Sequence, residues 1–88
     1  MVQAYKHSEV RYDMRIAICD DFPEFTKELR NKIEDVCARR DWSLTCLVFT
    51  SARSILTSDL SDTQVAFLDI DMPEYNGLEI AKELRIKY

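Results

Sequence analysis

The sequence predicts an α/β domain built on a small, doubly wound parallel sheet, and three observations carry that prediction. Residues 15–19, 44–49 and 65–68 are short, nearly continuous apolar runs, as in strands buried on both faces. Amphipathic helical stretches follow each run, giving the order β-α-β-α-β-α. This alternation implies parallel strands, right-handed crossovers and helices on both faces of the sheet. The third observation is size: 88 residues, 47% hydrophobic, with one Gly and two Pro, make one thin-cored domain and exclude collagen-like, linker-like and low-complexity classes.

The elements follow in order. Residues 1–13 hold no sustained period and read as a leader, so the domain is expected over 14–88. The first strand, Arg15 to Cys19, ends abruptly at Asp20-Asp21. Pro23 suits a first helical turn and Glu24 its positive end. Phe22, Phe25, Leu29, Ile33, Val36 and Cys37 then form one apolar face, up to a stop at Asp41-Trp42-Ser43. Leu44 to Phe49 is the second strand, rich in β-formers. Ser51 caps a short helix to about Leu56, and a polar loop leads to the third strand, Val65 to Leu68. Asp69 and Asp71 close that strand, and Met72-Pro73-Glu74-Tyr75-Asn76-Gly77 is turn chemistry. The last helix, Leu78 to Tyr88, is expected to turn Leu78, Ala81, Leu84 and Tyr88 inward, with a Glu83/Lys87 pair on the solvent side.

Charge and composition narrow the function. A net charge of −4 without a basic cluster argues against direct nucleic-acid binding. No apolar run approaches the ~20 residues of a membrane span, so a cytoplasmic protein is expected. Cys19, Cys37 and Cys46 are odd in number and lack a CxxC pair. They read as buried free thiols rather than disulfides or zinc ligands. His7, the single histidine, has no partner for nucleophilic catalysis or metal binding nearby.

The carboxylates are the informative feature. In open α/β sheets, ligands bind beyond the carboxyl ends of the strands, where the strand order reverses. If the first and third strands are neighbours, Asp20, Asp21 and Asp69 meet at that edge. Their repulsion raises at least one pKa unless a cation neutralises it. An all-oxygen ligand set favours Mg2+, which takes one or two carboxylates plus water and phosphate oxygens. A carboxylate is also a nucleophile able to form an acyl phosphate. A single Asp at a strand end is ordinary turn and cap chemistry; the combination of three is not.

These residues resemble the receiver domain of bacterial two-component response regulators. The resemblance runs from Met14 to Tyr88. It rests on Ile16-Ala17-Ile18-Cys19-Asp20-Asp21, on Val65-Ala66-Phe67-Leu68-Asp69-Ile70-Asp71-Met72-Pro73, and on Asn76-Gly77-Leu78-Glu79-Ile80. The start of the domain and the Cys before the acidic pair look most like regulators carrying a LytTR-type DNA-binding domain. The resemblance implies a flavodoxin-like fold with strand order 2-1-3. It makes Asp69 the phosphoacceptor, with Asp21 and Asp20 on Mg2+ and Asp71 contributing its backbone carbonyl. Met72, Pro73 and Gly77 would shape the loop, Gly77 through backbone freedom. The implied partners are a sensor histidine kinase and an output DNA-binding domain that regulates transcription; the receiver is a signalling phosphoprotein rather than an enzyme.

The chain departs from that pattern where it stops. A complete receiver resembles a five-stranded domain in the order 2-1-3-4-5, whereas this sequence ends after its third helix. The Ser/Thr after the fourth strand, and the Lys and aromatic residue of the fifth, have no counterpart. Mg2+ binding is therefore expected to survive, phosphorylation of Asp69 to be slow or absent, and the exposed edge of the third strand to promote self-association or poor stability. Two other readings stand beside this one. A receiver-like piece could act as an interaction module without being phosphorylated. Phe67-Leu68-Asp69-Ile70-Asp71 also resembles the hhhDxD motif of haloacid-dehalogenase-like phosphatases, although Pro73 stands where that motif has Thr or Val.

Overall fold

The computed structural model describes residues 12–88; the expected leader falls almost wholly outside the described residues. Six elements follow in the expected order: β1 (Asp13–Cys19), α1 (Pro23–Arg39), β2 (Ser43–Phe49), α2 (Ala52–Leu56), β3 (Val65–Leu68) and α3 (Gly77–Lys87). The first strand opens at Asp13, two residues before the apolar run, because its edge is tied down. The Ser43 N–H donates to Tyr12 O at 2.9 Å and the Ser43 hydroxyl to Asp13 Oδ1 at 2.9 Å.

The sheet is parallel, in the order β2-β1-β3. Ile16 lies between Cys46 and Val65, and Cys19 between Phe49 and Leu68. Central β1 is thus flanked on both sides and covered on both faces, and Ile16, Ala17, Ile18 and Cys19 are all buried. Strand alternation sends Ala17 and Cys19 to one face. There they meet Ile55 of α2, Ile80 of α3, Leu60 and Met72 in the main apolar core. Ile16 and Ile18 point to the other face, beneath α1. No helix of the described residues is long and apolar enough to cross a membrane.

The helices start as their sequences dictate. Pro23 occupies the first turn of α1, and the Asp20 carboxylate accepts the Phe22 N–H at 2.9 Å just before it. Ser51 caps α2 by accepting the Ser54 N–H at 3.1 Å. Asn76 and Glu79 form a reciprocal capping box on α3, at 3.0 and 3.2 Å.

Two helix faces differ from expectation. On α3 the inward residues are Gly77, Ile80 and Leu84, with Ile80 fully buried and Leu78 exposed. The capping box begins the helix one residue earlier and thereby sets its rotation. The Glu83/Lys87 pair is not formed. Glu83 instead accepts the Tyr75 hydroxyl, and the Lys87 ammonium lies near Leu56 O (3.5 Å) and over the Tyr88 ring. On α1 only Cys37 and Thr26 are buried, while Phe22, Phe25 and Val36 remain exposed. The cause is β3, whose outer edge pairs with no other strand among the described residues. The α1 side of the sheet is left as an apolar trough between α1 and β3. Cys46, on edge strand β2, is likewise only half-buried rather than enclosed.

Candidate metal centre

The local sequence places all three acids on one edge. β1 and β3 run parallel and side by side, so their carboxyl ends coincide at the strand-order reversal. Asp69 is pinned to β1 by its own N–H, which donates to Cys19 O at 2.9 Å; the Asp20 N–H donates to Phe49 O at 3.1 Å. One ligand oxygen from each of Asp20, Asp21 and Asp69 lies within 4.8 Å of the other two. Asp20 is buried, Asp69 half-buried and Asp21 exposed, so the cluster opens to solvent on one side.

The electrostatics follow from that packing. Burial raises the Asp20 pKa; the Phe22 N–H opposes the shift, and the charges of Asp69 and Asp21 add to it. A side-chain hydrogen bond to Asp69 further favours the protonated form. The expected rise at one carboxyl therefore falls on the buried member. Burial also pushes the neighbouring Cys19 thiol up to about 11, with Asp20, Asp69 and Asp21 raising it further. Cys19 is a packed thiol within 3.5 Å of Ser51 O, not a nucleophile.

The remaining expected residues take distinct places. Asp71 lies outside the cluster of three; its N–H donates to Asp69 Oδ1 at 3.0 Å and so orients that carboxylate. Met72 is buried in the core beneath the loop. Pro73 and Glu74 join Asp21, Thr50, Ser51 and Arg53 around a cleft of about 240 Å³ beside the acids.

Gly77 shapes the loop, but not through backbone freedom, since its φ is not positive. A Cβ there would lie 2.5 Å from Asp69 O and 2.8 Å from Asp69 C, so the missing side chain is what lets α3 start against the Asp69 backbone. The positive φ of this loop belongs to Glu74, at 67°. Sequence reasoning did not single out Ser51, Thr50 or Arg53 as neighbours of the acids. Their position directly after β2 was the available signal, since β2 ends at the same edge.

The donor set fits a hard divalent cation. It is all carboxylate oxygen and one member is buried; among the described residues, Arg53 is the one basic side chain that lines the adjoining cavities. Comparison with models of known protein families, with curated proteins and with solved structures finds no match for this chain.

Proposed function

We propose that this chain is a phosphoacceptor receiver module of the two-component type, with a flavodoxin-like fold, that takes a phosphoryl group on Asp69 in the presence of Mg2+. The observation that carries the reading is the convergence of Asp20, Asp21 and Asp69 within 4.8 Å at the strand-order reversal. The hydrogen bond from the Asp71 N–H and the close approach of Gly77, both on the acceptor, support it.

Asp69 is the nucleophile. The Asp71 N–H holds Oδ1, and Oδ2 attacks the phosphorus of a phosphoramidate or acyl phosphate donor. One P–O bond forms as the donor's P–N or P–O bond breaks, and the leaving group departs with the electron pair. Asp20 and Asp21 would hold the cation, which supplies charge neutralisation on the transferring oxygens. The Asp71 carbonyl would complete that ligand set. The product adds roughly −1.5 to −2 charge beside the loop at 72–76, enough to bias its conformation. A sensor histidine kinase is the proposed donor and an output DNA-binding domain, acting in the cytoplasm, the proposed recipient.

Among the described residues no lysine lines the cavities at the acids to pair with the phosphoryl group, and Arg53 is the one cation there, so transfer is expected to be slow. Intact-mass measurement after incubation with acetyl phosphate and Mg2+ tests the reading. A single phosphoryl adduct that accumulates slowly and is lost in Asp69→Asn supports it. No adduct after prolonged incubation, or an adduct that persists in Asp69→Asn, overturns it.

A further inference from the structure

Among the described residues, β3 ends the sheet with one edge unpaired. Its other edge is held by β1, and Asp69 N–H donates inward to Cys19 O. Strand amides alternate sides, so the N–H and C=O groups of Leu68 and Ala66 face the open edge. Such an edge is a template for another strand. On the α1 face the same strand presents Val65 and Phe67, 39% and 40% exposed, beside Phe25 at 50% and Val36 at 44%. Together these line two adjoining hollows of about 380 and 310 Å³.

We infer that this face and edge bind a second copy of the same chain, through antiparallel pairing of β3 with β3 about a two-fold axis beside Phe67. Three observations select that occupant. The first is register. Of the antiparallel registers, the one that pairs the outward groups of both Ala66 and Leu68 within β3 sets Ala66 opposite Leu68 of the second copy, which places Phe67 opposite Phe67 at a non-hydrogen-bonded position. Side chains stay face-matched and two aromatic rings meet at the axis, an arrangement favoured across strands.

The second is charge. Lys32 lies at the Val65 end of the trough, and Asp20 and Asp69 lie at its other end. Antiparallel pairing brings Lys32 of each copy toward the acidic end of the other, whereas a parallel arrangement would set like on like.

The third is area. Phe25 and Phe67 leave about 180 Å² exposed if each ring side chain offers roughly 200 Å². With their aliphatic neighbours the patch reaches about 400 Å² per copy, and the paired backbones add to it. The total falls near the ~1,000 Å² that separates weak specific interfaces from incidental contacts. A net charge of −4 on each copy opposes association, which keeps the interface in the micromolar range. This inference does not depend on phosphorylation at Asp69.

Sedimentation equilibrium from about 1 to 500 µM is the test, with a reversible dimer of twice 10.3 kDa and a Kd of roughly 1–100 µM expected. Ala66→Pro removes an outward N–H that β1 does not use, and Pro is tolerated at such an edge. It should stay folded by circular dichroism while weakening the dimer at least about tenfold. A second measurement covers a variant that fails to fold: in a Cys46→Ser background, Phe67→Cys should form a covalent dimer under mild oxidation and Phe25→Cys should not. Several outcomes overturn the inference. A monomer at every concentration would leave the trough to another occupant, either residues 1–11 or a different protein. Open-ended assembly would rule out two-fold closure, and a folded Ala66→Pro dimer of unchanged Kd would rule out the edge. Failure of Phe67→Cys to crosslink would rule out the axis.

Discussion

Replacing Asp69 with Asn should make the metal-free protein more stable and at the same time abolish its response to Mg2+. The three carboxylates lie within 4.8 Å of one another. At that separation, with an effective dielectric near 20, two unit charges repel by about 3.5 kcal/mol. Asp21 is exposed and Asp69 only half-buried, so solvent screening reduces the net relief on neutralising Asp69 to about 1 kcal/mol. For a domain of this size that is a rise of about 4–8 °C in melting temperature. In the wild-type protein, Mg2+ at ten times its Kd should add about 1.4 kcal/mol by mass action, or roughly 6–11 °C. Thermal melts followed by circular dichroism, in EDTA and across a Mg2+ titration, read both effects. The reasoning is refuted if Mg2+ leaves the wild-type melt unchanged, or if Asp69→Asn lowers the metal-free melting temperature and keeps the Mg2+ shift.

Asp20 gives the pH dependence. Its folded-state pKa lies above the unfolded value, so between those two values the folded state alone holds the proton, and stability falls as pH rises through the window. Urea midpoints from pH 4 to 7 in EDTA should decline more steeply for the wild type than for Asp20→Asn, and equal slopes would contradict the assignment. Gly77→Ala should cost about 2 kcal/mol, because a Cβ 2.5 Å from Asp69 O forces backbone to move; a variant with unchanged urea midpoint would exclude the clash. Asn76→Ala should cost about 1 kcal/mol by emptying the α3 capping box, measured the same way. With iodoacetamide at pH 8, Cys46 should react before Cys19 and Cys37, and Cys19 only after unfolding. Peptide mapping that finds Cys19 modified first would overturn its description as an inert packed thiol.

The element order and the site were legible for different reasons. β1 was readable because a central strand, covered on both faces, needs the unbroken apolar run Ile16 to Cys19. The acids were readable because each directly follows a strand, and parallel strands align their carboxyl ends. Helix faces were harder to read. On α3, Leu78 and Ile80 are both apolar and two residues apart, so periodicity alone does not choose between them. The Asn76 cap and the position of Gly77 against Asp69 choose Ile80. On α1, six apolar residues at helical spacing imply a covered face, yet the sheet beneath is too narrow to cover Phe25 and Val36.

Local periodicity thus determined the strands, the helices and the placement of Asp20, Asp21 and Asp69 at strand ends, since these depend on near neighbours in the chain. The tertiary structure decided which of three similar carboxylates has its pKa raised by burial, why position 77 has no side chain, and that β3 keeps an edge unpaired among the described residues beside an apolar trough. Those properties arise from distances between segments that meet only in the folded chain, as Asp20 meets Asp69, Gly77 meets Asp69 and β3 faces α1. Burial, Coulomb repulsion and backbone approach all depend on such distances, and residue spacing along the chain does not encode them.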